Sequence, residues 1–289
     1  MRVLLGGLAA LTIGAASAMA ADMRMPVTAP VMAPEVYNWN GFYIGGNGGS
    51  SWGRSSTDAR FFNSVTGAAI VPPIGSVTSN SFNLDGGIAG GQAGYNWQTS
   101  NWVVGLETDL QWSGERGSAI FSCAAVAVIA GPCLPGLTFL PAGITGTSLT
   151  VDQKIEWFGT FRARAGLLVT PSVLAYVTGG LAYGSVKTDM SLAGFSTAGA
   201  PLFASSSASK VQAGWTAGGG IEAKFSRNWS GKLEYLYMDL GTFDGTVALS
   251  PPPATTPAIG ANISSRVTDH IFRAGINYHF DAGPVVARY

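Results

Sequence analysis

The chain is short of charged residues. Asp, Glu, Lys and Arg make up 11% of its 289 residues, against roughly 25% in typical soluble domains. Its formal net charge is zero, so it lacks the basic surface that nucleic-acid binding requires, and no nucleic-acid partner is expected. Beyond the N-terminal segment it also lacks any run of about 18 consecutive apolar residues, the length that a membrane-spanning helix needs. The composition therefore argues against an ordinary soluble domain, a nucleic-acid-binding protein and a helical membrane protein.

Cysteine and histidine are equally scarce, with two of each. Cys123 and Cys133 predict a disulfide that closes a small loop in an oxidising compartment, with free thiols as the alternative. His270 and His279 lie far from both cysteines in sequence, so no metal site and no cofactor are predicted. Asp269 precedes His270 directly, but adjacent strand residues face opposite sides and cannot share one site. No catalytic residue is therefore predicted, and the chain is expected not to be an enzyme.

The N-terminus has the three-part pattern of a secretory signal peptide. Arg2 supplies a positive start, residues 3–16 are apolar and uncharged, and small residues follow. Residues 1–20 are predicted to be removed by cleavage between Ala20 and Ala21. Residues 21–38 carry three prolines and are predicted to form a flexible periplasmic leader. An exported, apolar chain without spanning helices can satisfy its backbone within lipid as a closed β-barrel.

From residue 39 onward, segments with period-two hydrophobicity alternate with connections that are in turn long and very short. The eight predicted strands cover residues 41–53, 82–97, 102–113, 151–169, 173–187, 211–225, 229–240 and 267–280. The long connections are residues 54–81, 114–150, 188–210 and 241–266, and the short ones are residues 98–101, 170–172 and 226–228. This alternation is typical of outer-membrane barrels, with long extracellular loops and short periplasmic turns. The sequence therefore predicts an all-β, transmembrane, antiparallel up-and-down barrel over residues 39–280, followed by a short tail, 281–289.

The polar faces of the predicted strands define a charged barrel interior. In the last strand, Phe272, Ala274 and Ile276 share one face, while Arg273 lies on the other. The ten charged residues assigned to the inner face are Glu107, Asp109, Glu156, Arg162, Arg164, Glu222, Lys224, Lys232, Glu234 and Arg273. An eight-stranded barrel is just wide enough for side chains to fill, so these balanced charges predict a paired plug. A path for charged solutes or protons is the alternative.

Four segments resemble those of one known family. They are residues 39–45 (WNGFYIG), the predicted hairpin within residues 94–107, the two predicted strands within residues 215–237 and the closing strand, residues 272–280. Their order is similar to that of small alphaproteobacterial outer-membrane immunogenic, or porin-family, proteins with an OmpA-like eight-stranded barrel. The resemblance implies a place in the Gram-negative outer membrane, a role in envelope integrity, surface-exposed loops and no shared catalytic residues.

The chain departs from this family at its C-terminus. Such proteins generally end on the aromatic residue of the last strand, which the barrel assembly machinery reads, whereas here nine residues follow Phe280. Either Phe280 or the terminal Tyr289 is expected to serve as the assembly signal. The expected partners are therefore outer-membrane lipid and the assembly machinery, with a homo-oligomer left open.

The sequence is compatible with three functions. The favoured one is an envelope-stabilising barrel with a plugged interior. The alternatives are a narrow porin-like channel for small solutes and a surface-loop binding or adhesion protein whose ligand the sequence does not specify.

Overall fold

The computed structural model describes residues 37–63, 67, 69, 78–123, 144–196, 201–249 and 259–280. The predicted signal peptide with its cleavage site, most of the leader and the C-terminal tail lie outside the described residues. Cys133 does as well, so the disulfide stays a prediction. No helix in the described part of the chain is long and apolar enough to span a membrane.

The described residues form a closed antiparallel sheet. Its strands are β1 (Gly41–Asn63), β2 (Ser79–Thr99), β3 (Trp102–Ser113), β4 (Arg116–Cys123), β5 (Ile144–Thr170), β6 (Val173–Ser196), β7 (Pro201–Lys224), β8 (Trp229–Leu249) and β9 (Ile259–His279). Apart from β3 and β4, which do not pair with each other, each strand pairs with its sequence neighbours, and β1 also pairs with β9 to close the ring. Because β3 and β4 follow each other and both lie between β2 and β5, the ring has eight positions. This confirms the predicted all-β antiparallel barrel.

The strands are much longer than predicted. β1 has 23 residues and β5 has 27, whereas a tilted strand crosses a membrane in about 9–11. Much of what was predicted as long loop is therefore strand, including residues 54–63, 188–196 and 241–249. The three connections predicted to be short are short: two residues separate β2 from β3 and β5 from β6, fewer than predicted, and four separate β7 from β8, one more than predicted.

Two bands of outward-facing aromatic residues divide the barrel. One band lies beside the short turns and contains Trp97, Trp102, Trp229 and Phe280. The other, which we call the outer aromatic band, crosses the barrel farther up and contains Trp52, Trp112, Trp157 and Trp215. We call the part between the bands the lower half, and the part beyond the second band, toward the long connections, the upper half.

In the lower half the outward face is apolar and the inward face is polar. Leu106, Phe161 and Ile276 are 41%, 51% and 53% exposed on the outside. Arg162 and Arg273, which alternate with such residues along β5 and β9, are fully buried. This is the arrangement expected of strands that face lipid outside and other side chains inside.

In the upper half this polarity is reversed. Most outward residues are polar or charged, such as Arg54, Lys154 and Lys187, with a few exposed apolar ones, such as Ile120 and Phe203. The interior holds a small hydrogen-bonded polar group around Ser265 and one large buried apolar cluster, which includes Phe61, Leu84, Phe121, Leu149, Val151, Ile155, Val186, Met190, Leu192, Phe243, Val247 and Ile263. The upper half is therefore built like a barrel in water, with a hydrophobic core and a polar surface.

The wall of the upper half is incomplete between β7 and β8. These strands pair only over Trp215–Lys224 and Ser230–Asp239. Above Trp215, β7 continues against β6, and β8 continues against β9 past a bulge that contains Gly241 at φ +76°. A Gln212 side chain oriented to donate hydrogen bonds to the carbonyl oxygens of Leu240 and Thr242, 3.1 and 3.2 Å away, spans the gap at its lower end.

Candidate functional site

The interior of the lower half is the most densely charged part of the described structure. Strand register alone brings opposite charges together, because Glu107 pairs directly with Arg162 across β3 and β5. Two further pairs, Glu222 with Lys232 and Glu234 with Arg273, join β7 to β8 and β8 to β9. Directly opposed residues of unlike charge stabilise an antiparallel pair, so the same contacts that set the register also neutralise the interior.

Glu107 is the centre of this network. Lys232 donates to both of its carboxylate oxygens at 2.9 Å, and the Tyr43 hydroxyl donates to Oε2 at 2.7 Å. Arg162 reaches Oε1, and Arg164 lies 3.5 Å from Oε2. A single carboxylate therefore ties together side chains from β1, β3, β5 and β8.

Asp109 and Glu234 are bridged by two arginines. Arg162 lies 2.9 Å from Asp109 and 3.0 Å from Glu234, and Arg273 lies 2.8 and 2.6 Å from the same two carboxylates. The Tyr176 hydroxyl donates to Glu234 at 3.0 Å. Because all four charged side chains are buried, each depends on its partners for charge compensation.

Glu222 organises the end of the network next to the short turns. Arg164 and Asn277 donate to it at 2.7 and 2.8 Å, and the Ser230 hydroxyl donates at 2.6 Å. His279 Nε2 lies 2.8 Å from the Ser230 hydroxyl and 3.2 Å from Glu222. The three residue types match those of a hydrolase triad, but Glu222 and Ser230 approach the same imidazole nitrogen, whereas a triad needs the acid on the other one. Ser230 is also fully buried, so this cluster is arranged for packing rather than for nucleophilic attack.

Trp39 closes the barrel below this cluster. Its indole is fully buried and donates to the Pro171 carbonyl at 3.1 Å, and its backbone amide donates to Gln98 at 2.9 Å. The Lys224 ammonium lies 5.2 Å from the indole ring and donates to the Asn38 carbonyl at 2.7 Å. The residues just before β1 therefore cover the lower mouth of the barrel. This role was not predicted from the sequence, where the available signal is an aromatic residue immediately before a strand.

Glu115 and Asp269 form a second, less compensated group at the border with the upper half. Both are fully buried, and among the described residues one oxygen of Glu115 and both of Asp269 lack a hydrogen-bond partner. Glu115 lies between β3 and β4, where burial raises the pKa of its carboxyl, while the Ser113 hydroxyl, 3.0 Å away, acts in the opposite sense. This pair was not predicted, because the sequence pattern places Glu115 in a loop.

The predicted interior residues fall into three groups. Eight of them, Glu107, Asp109, Arg162, Arg164, Glu222, Lys232, Glu234 and Arg273, meet in one network of four acids and four bases. Lys224 is buried at the lower mouth. The prediction for Glu156 was wrong: its side chain is 40% exposed and lies 3.9 Å from Lys154. A bulge between Ile155 and Trp157 inserts one residue and turns Glu156 away from the interior.

Comparison with known proteins identifies the family. A family model described as the outer membrane protein beta-barrel domain matches residues 7–280. The chain belongs to this family. It is 36% identical over 286 residues to the 31 kDa outer-membrane immunogenic protein of Brucella melitensis, covering 96% of this chain and 99% of the relative. It is 29% identical over 209 residues to the 22 kDa outer membrane protein of Rhizobium leguminosarum bv. viciae, covering 72% of this chain and 67% of the relative.

Solved structures of outer-membrane barrels are similar at low identity. The crystal structure of OprG from Pseudomonas aeruginosa matches with a TM-score of 0.42 and 12% sequence identity, over 84% of this chain and 99% of that one.

Membership of the outer membrane protein beta-barrel family confirms the resemblance found in the sequence and places the chain in the outer membrane. The lower half is the described part with an apolar outward face between aromatic bands, so it is the part that lies in the bilayer. The upper half, with its polar outward face, projects beyond the bilayer on the extracellular side, where the long connections of such barrels lie.

Proposed function

We propose that this outer-membrane barrel has a structural role in envelope integrity and that its interior is closed to solutes. The observation that carries the proposal is the position of Arg162, which is fully buried and bridges Glu107, Asp109 and Glu234 across β3, β5 and β8. An arginine held by three carboxylates crosses the space that a channel would need.

Two further features support a closed interior. Trp39 covers the lower mouth, and the apolar cluster of the upper half fills the other end. A solute would have to displace both of these and also separate buried ion pairs, which leaves uncompensated charge at a cost of about 3–5 kcal/mol for each pair.

The proposal also holds that the protein is not an enzyme. The one constellation of described residues with suitable types, Ser230 with His279 and Glu222, is buried and lacks the geometry of a triad. Outer-membrane lipid and the barrel assembly machinery are the proposed partners. Phe280 would present the assembly signal, because its side chain faces outward and its amide donates to the Phe42 carbonyl at 2.9 Å, where the ring closes.

Single-channel recording in a planar bilayer tests the closed interior. The refolded mature protein is compared with Arg162→Ala and Glu107→Ala, and with Lys154→Ala as a control on the outer surface. We expect no steady conductance from the parent and the control, and unstable or leaky behaviour from the interior variants. Ion-selective steps in the parent that change with the interior variants would establish a channel instead.

Permeability of whole cells tests the structural role. A host strain lacking the protein should admit a hydrophobic dye faster than the parent strain, and plasmid-borne parent protein should restore the barrier. An unchanged rate of dye entry in the deletion strain contradicts a role in envelope integrity.

The length of the strands favours one second candidate, recognition at the cell surface. β1 continues from Trp52 of the outer aromatic band to Asn63, which places a polar wall well outside the bilayer. In a variant of the protein, residues 124–143 and 250–258 are replaced by short Gly-Ser linkers. Bacteria that express this variant should lose adhesion if this surface binds a ligand. Unchanged adhesion removes this candidate.

A further inference from the structure

A shallow groove lies on the lipid-facing surface of the lower half, where β8, β9 and β1 adjoin. Its volume is about 730 Å³. The residues that shape it are Ile44, Gly46, Gly48, Trp229, Ala274 and Ile276. It is a property of the outer wall and is independent of whether the interior conducts.

The groove exists because its floor has almost no side chains. Gly46 pairs with Ile276 and Gly48 with Ala274 across β1 and β9, and both glycines are exposed on the outside. On the outward face of β3, by contrast, the corresponding positions carry bulky side chains such as Leu106 and Leu110. Because these side chains are missing, the outer surface is recessed between its neighbours and open to the bilayer.

The lower end of the groove lies at the periplasmic face of the membrane. Trp229 and Tyr278 line it there, with their rings edge to face and 5.2 Å apart. Tryptophan and tyrosine at this position are typical of the level of lipid headgroups.

A positively charged side chain lies next in sequence to this end of the groove. Arg227 lies in the turn that leads into Trp229, and it is the only charged residue in the three short periplasmic turns, residues 100–101, 171–172 and 225–228. Its side chain is exposed and makes no ion pair with any described residue. Arginine favours phosphate because its planar guanidinium can donate two parallel hydrogen bonds.

We propose that this groove is a binding site for one phospholipid of the periplasmic leaflet, with an acyl chain along the Gly46–Gly48 floor and the phosphate on Arg227. The apolar floor, the aromatic residues at headgroup level and the exposed guanidinium follow one another in the order in which a phospholipid presents its chain, its ester region and its phosphate.

A second copy of the chain fits the groove less well. Two barrels with the same orientation in the membrane, related by a twofold axis along the membrane normal, would present the same surface to each other. Groove would then face groove, which leaves a void, and two Arg227 guanidinium groups would meet without an acidic partner. A phospholipid instead fills the groove and supplies the missing negative charge.

Native mass spectrometry of the full mature protein, released from nanodiscs of phosphatidylethanolamine and phosphatidylglycerol, tests the site. We expect a single phospholipid adduct to survive at collision energies that remove all other lipid. Filling the groove with Gly46→Leu and Gly48→Leu should abolish the retained adduct. A Cβ is accommodated at both positions, since it would lie 3.8 Å from the Gly90 carbonyl oxygen at position 46 and 3.6 Å from the Ile88 carbonyl oxygen at position 48.

Gly179→Leu is the matched control. Gly179 lies on the outward face of β6, between the exposed Val177 and Leu181, and β7 and β8 separate it from the floor of the groove; its Cβ would lie 3.5 Å from the Thr216 carbonyl oxygen. This variant should retain the lipid. Equal loss of lipid from the control and the groove variants would overturn the proposal, because it would mean that any added side chain has the same effect.

Arg227→Gln tests the headgroup contact and does not alter a strand. We expect retention of the phospholipid to fall about tenfold, the scale of one lost charge-assisted hydrogen bond, while diacylglycerol, which has no phosphate, is held equally by the parent and this variant. Unchanged phospholipid retention in both the groove variant and Arg227→Gln would overturn the site. A dimer that the groove variant dissociates would show that a second copy of the chain occupies the groove instead.

Discussion

The two halves of the barrel share all of their strands except β3 and β4, yet they are inside-out relative to each other. In the lower half Arg162 and Arg273 are buried and Phe161 is exposed, whereas in the upper half Leu149 is buried and Lys154 lies outside. The surroundings change where the strands leave the bilayer, and the polarity of both faces changes with them. A continuous strand therefore does not imply one continuous pattern of polarity.

Irregularities near the outer aromatic band help to make this reversal. In β5 the interior residues are odd-numbered as far as Ile155 and even-numbered from Phe158 onward, on the two sides of the bulge between Ile155 and Trp157. In β8 the bulge between Asp239 and Thr242 has the same effect. A bulge adds one residue to one strand and exchanges the faces of all that follow.

The largest expected effect comes from breaking the network of the lower half. Arg162→Ala leaves Glu107, Asp109 and Glu234 short of a partner, so the free energy of unfolding should fall by about 3–5 kcal/mol. Removing the exposed cation Lys154 of the upper half should cost less than about 1 kcal/mol. Urea unfolding of both variants in lipid vesicles measures the difference, and equal losses would mean that the interior ion pairs contribute no more than surface ones.

The upper half should respond instead to lost apolar volume. Leu149→Ala removes a fully buried side chain from the apolar cluster and should cost about 2–5 kcal/mol. Val211→Ala, at a position that is 60% exposed on the outside, is the control and should be nearly neutral. If Leu149→Ala unfolds at the same urea concentration as the parent, the apolar cluster is not the core of the upper half.

A charge placed on the outward face should distinguish the two halves directly. Phe161→Arg puts a guanidinium into the bilayer and should destabilise the inserted protein by about 2–4 kcal/mol. Ile120→Arg, at a position that is 60% exposed on the upper half, should fold and insert like the parent. Vesicle refolding followed by electrophoretic mobility reports both, and normal insertion of Phe161→Arg would reverse our assignment of inside and outside.

The smallest effect concerns Glu115 at the border. Burial raises its pKa in the folded state, so the folded protein holds this proton more tightly than the unfolded chain does. The contribution of Glu115 to stability should therefore be present in full at acidic pH and be lost as the pH rises above the usual carboxyl range. Glu115→Gln should remove this part of the pH dependence and gain about 1–3 kcal/mol in mildly alkaline solution. A pH profile unchanged by the substitution would mean that Glu115 is already compensated.

The lower half could be predicted well from the sequence because its alternation is strong. Arginine, glutamate and lysine there alternate with Trp, Phe and Leu, and a charged residue between aromatic ones can face only inward. The upper half has no such signal. Along residues 54–63 the inward Ser55 and Thr57 are as polar as their outward neighbours, and they are held by hydrogen bonds to Ser265. Polar residues on both faces resemble a loop, so strand length could not be predicted there.

Other parts of the site depend on geometry that a sequence does not display. The bulge that turns Glu156 outward has no glycine or proline to indicate it. The contact of Trp39 with Pro171 joins residues 132 positions apart, and the proximity of Glu115 to Asp269 also depends on closure of the ring. Such contacts follow from the register of the closed barrel and could be placed only once that register was known.

The junction of the first and last strands has a consequence for how the protein reaches its folded state. The Ser55 and Ser265 hydroxyls lie 2.7 Å apart although 210 residues separate them, and the β1–β9 ladder runs from Tyr43 to Asn63. Contacts this distant in sequence form slowly, because the entropy of loop closure is lost before any pairing energy is gained. Until β9 has been delivered, β1 and β8 each expose a long unpaired edge on which other chains can assemble. The time between synthesis of the first strand and arrival of the last is thus the interval in which this chain most needs a chaperone.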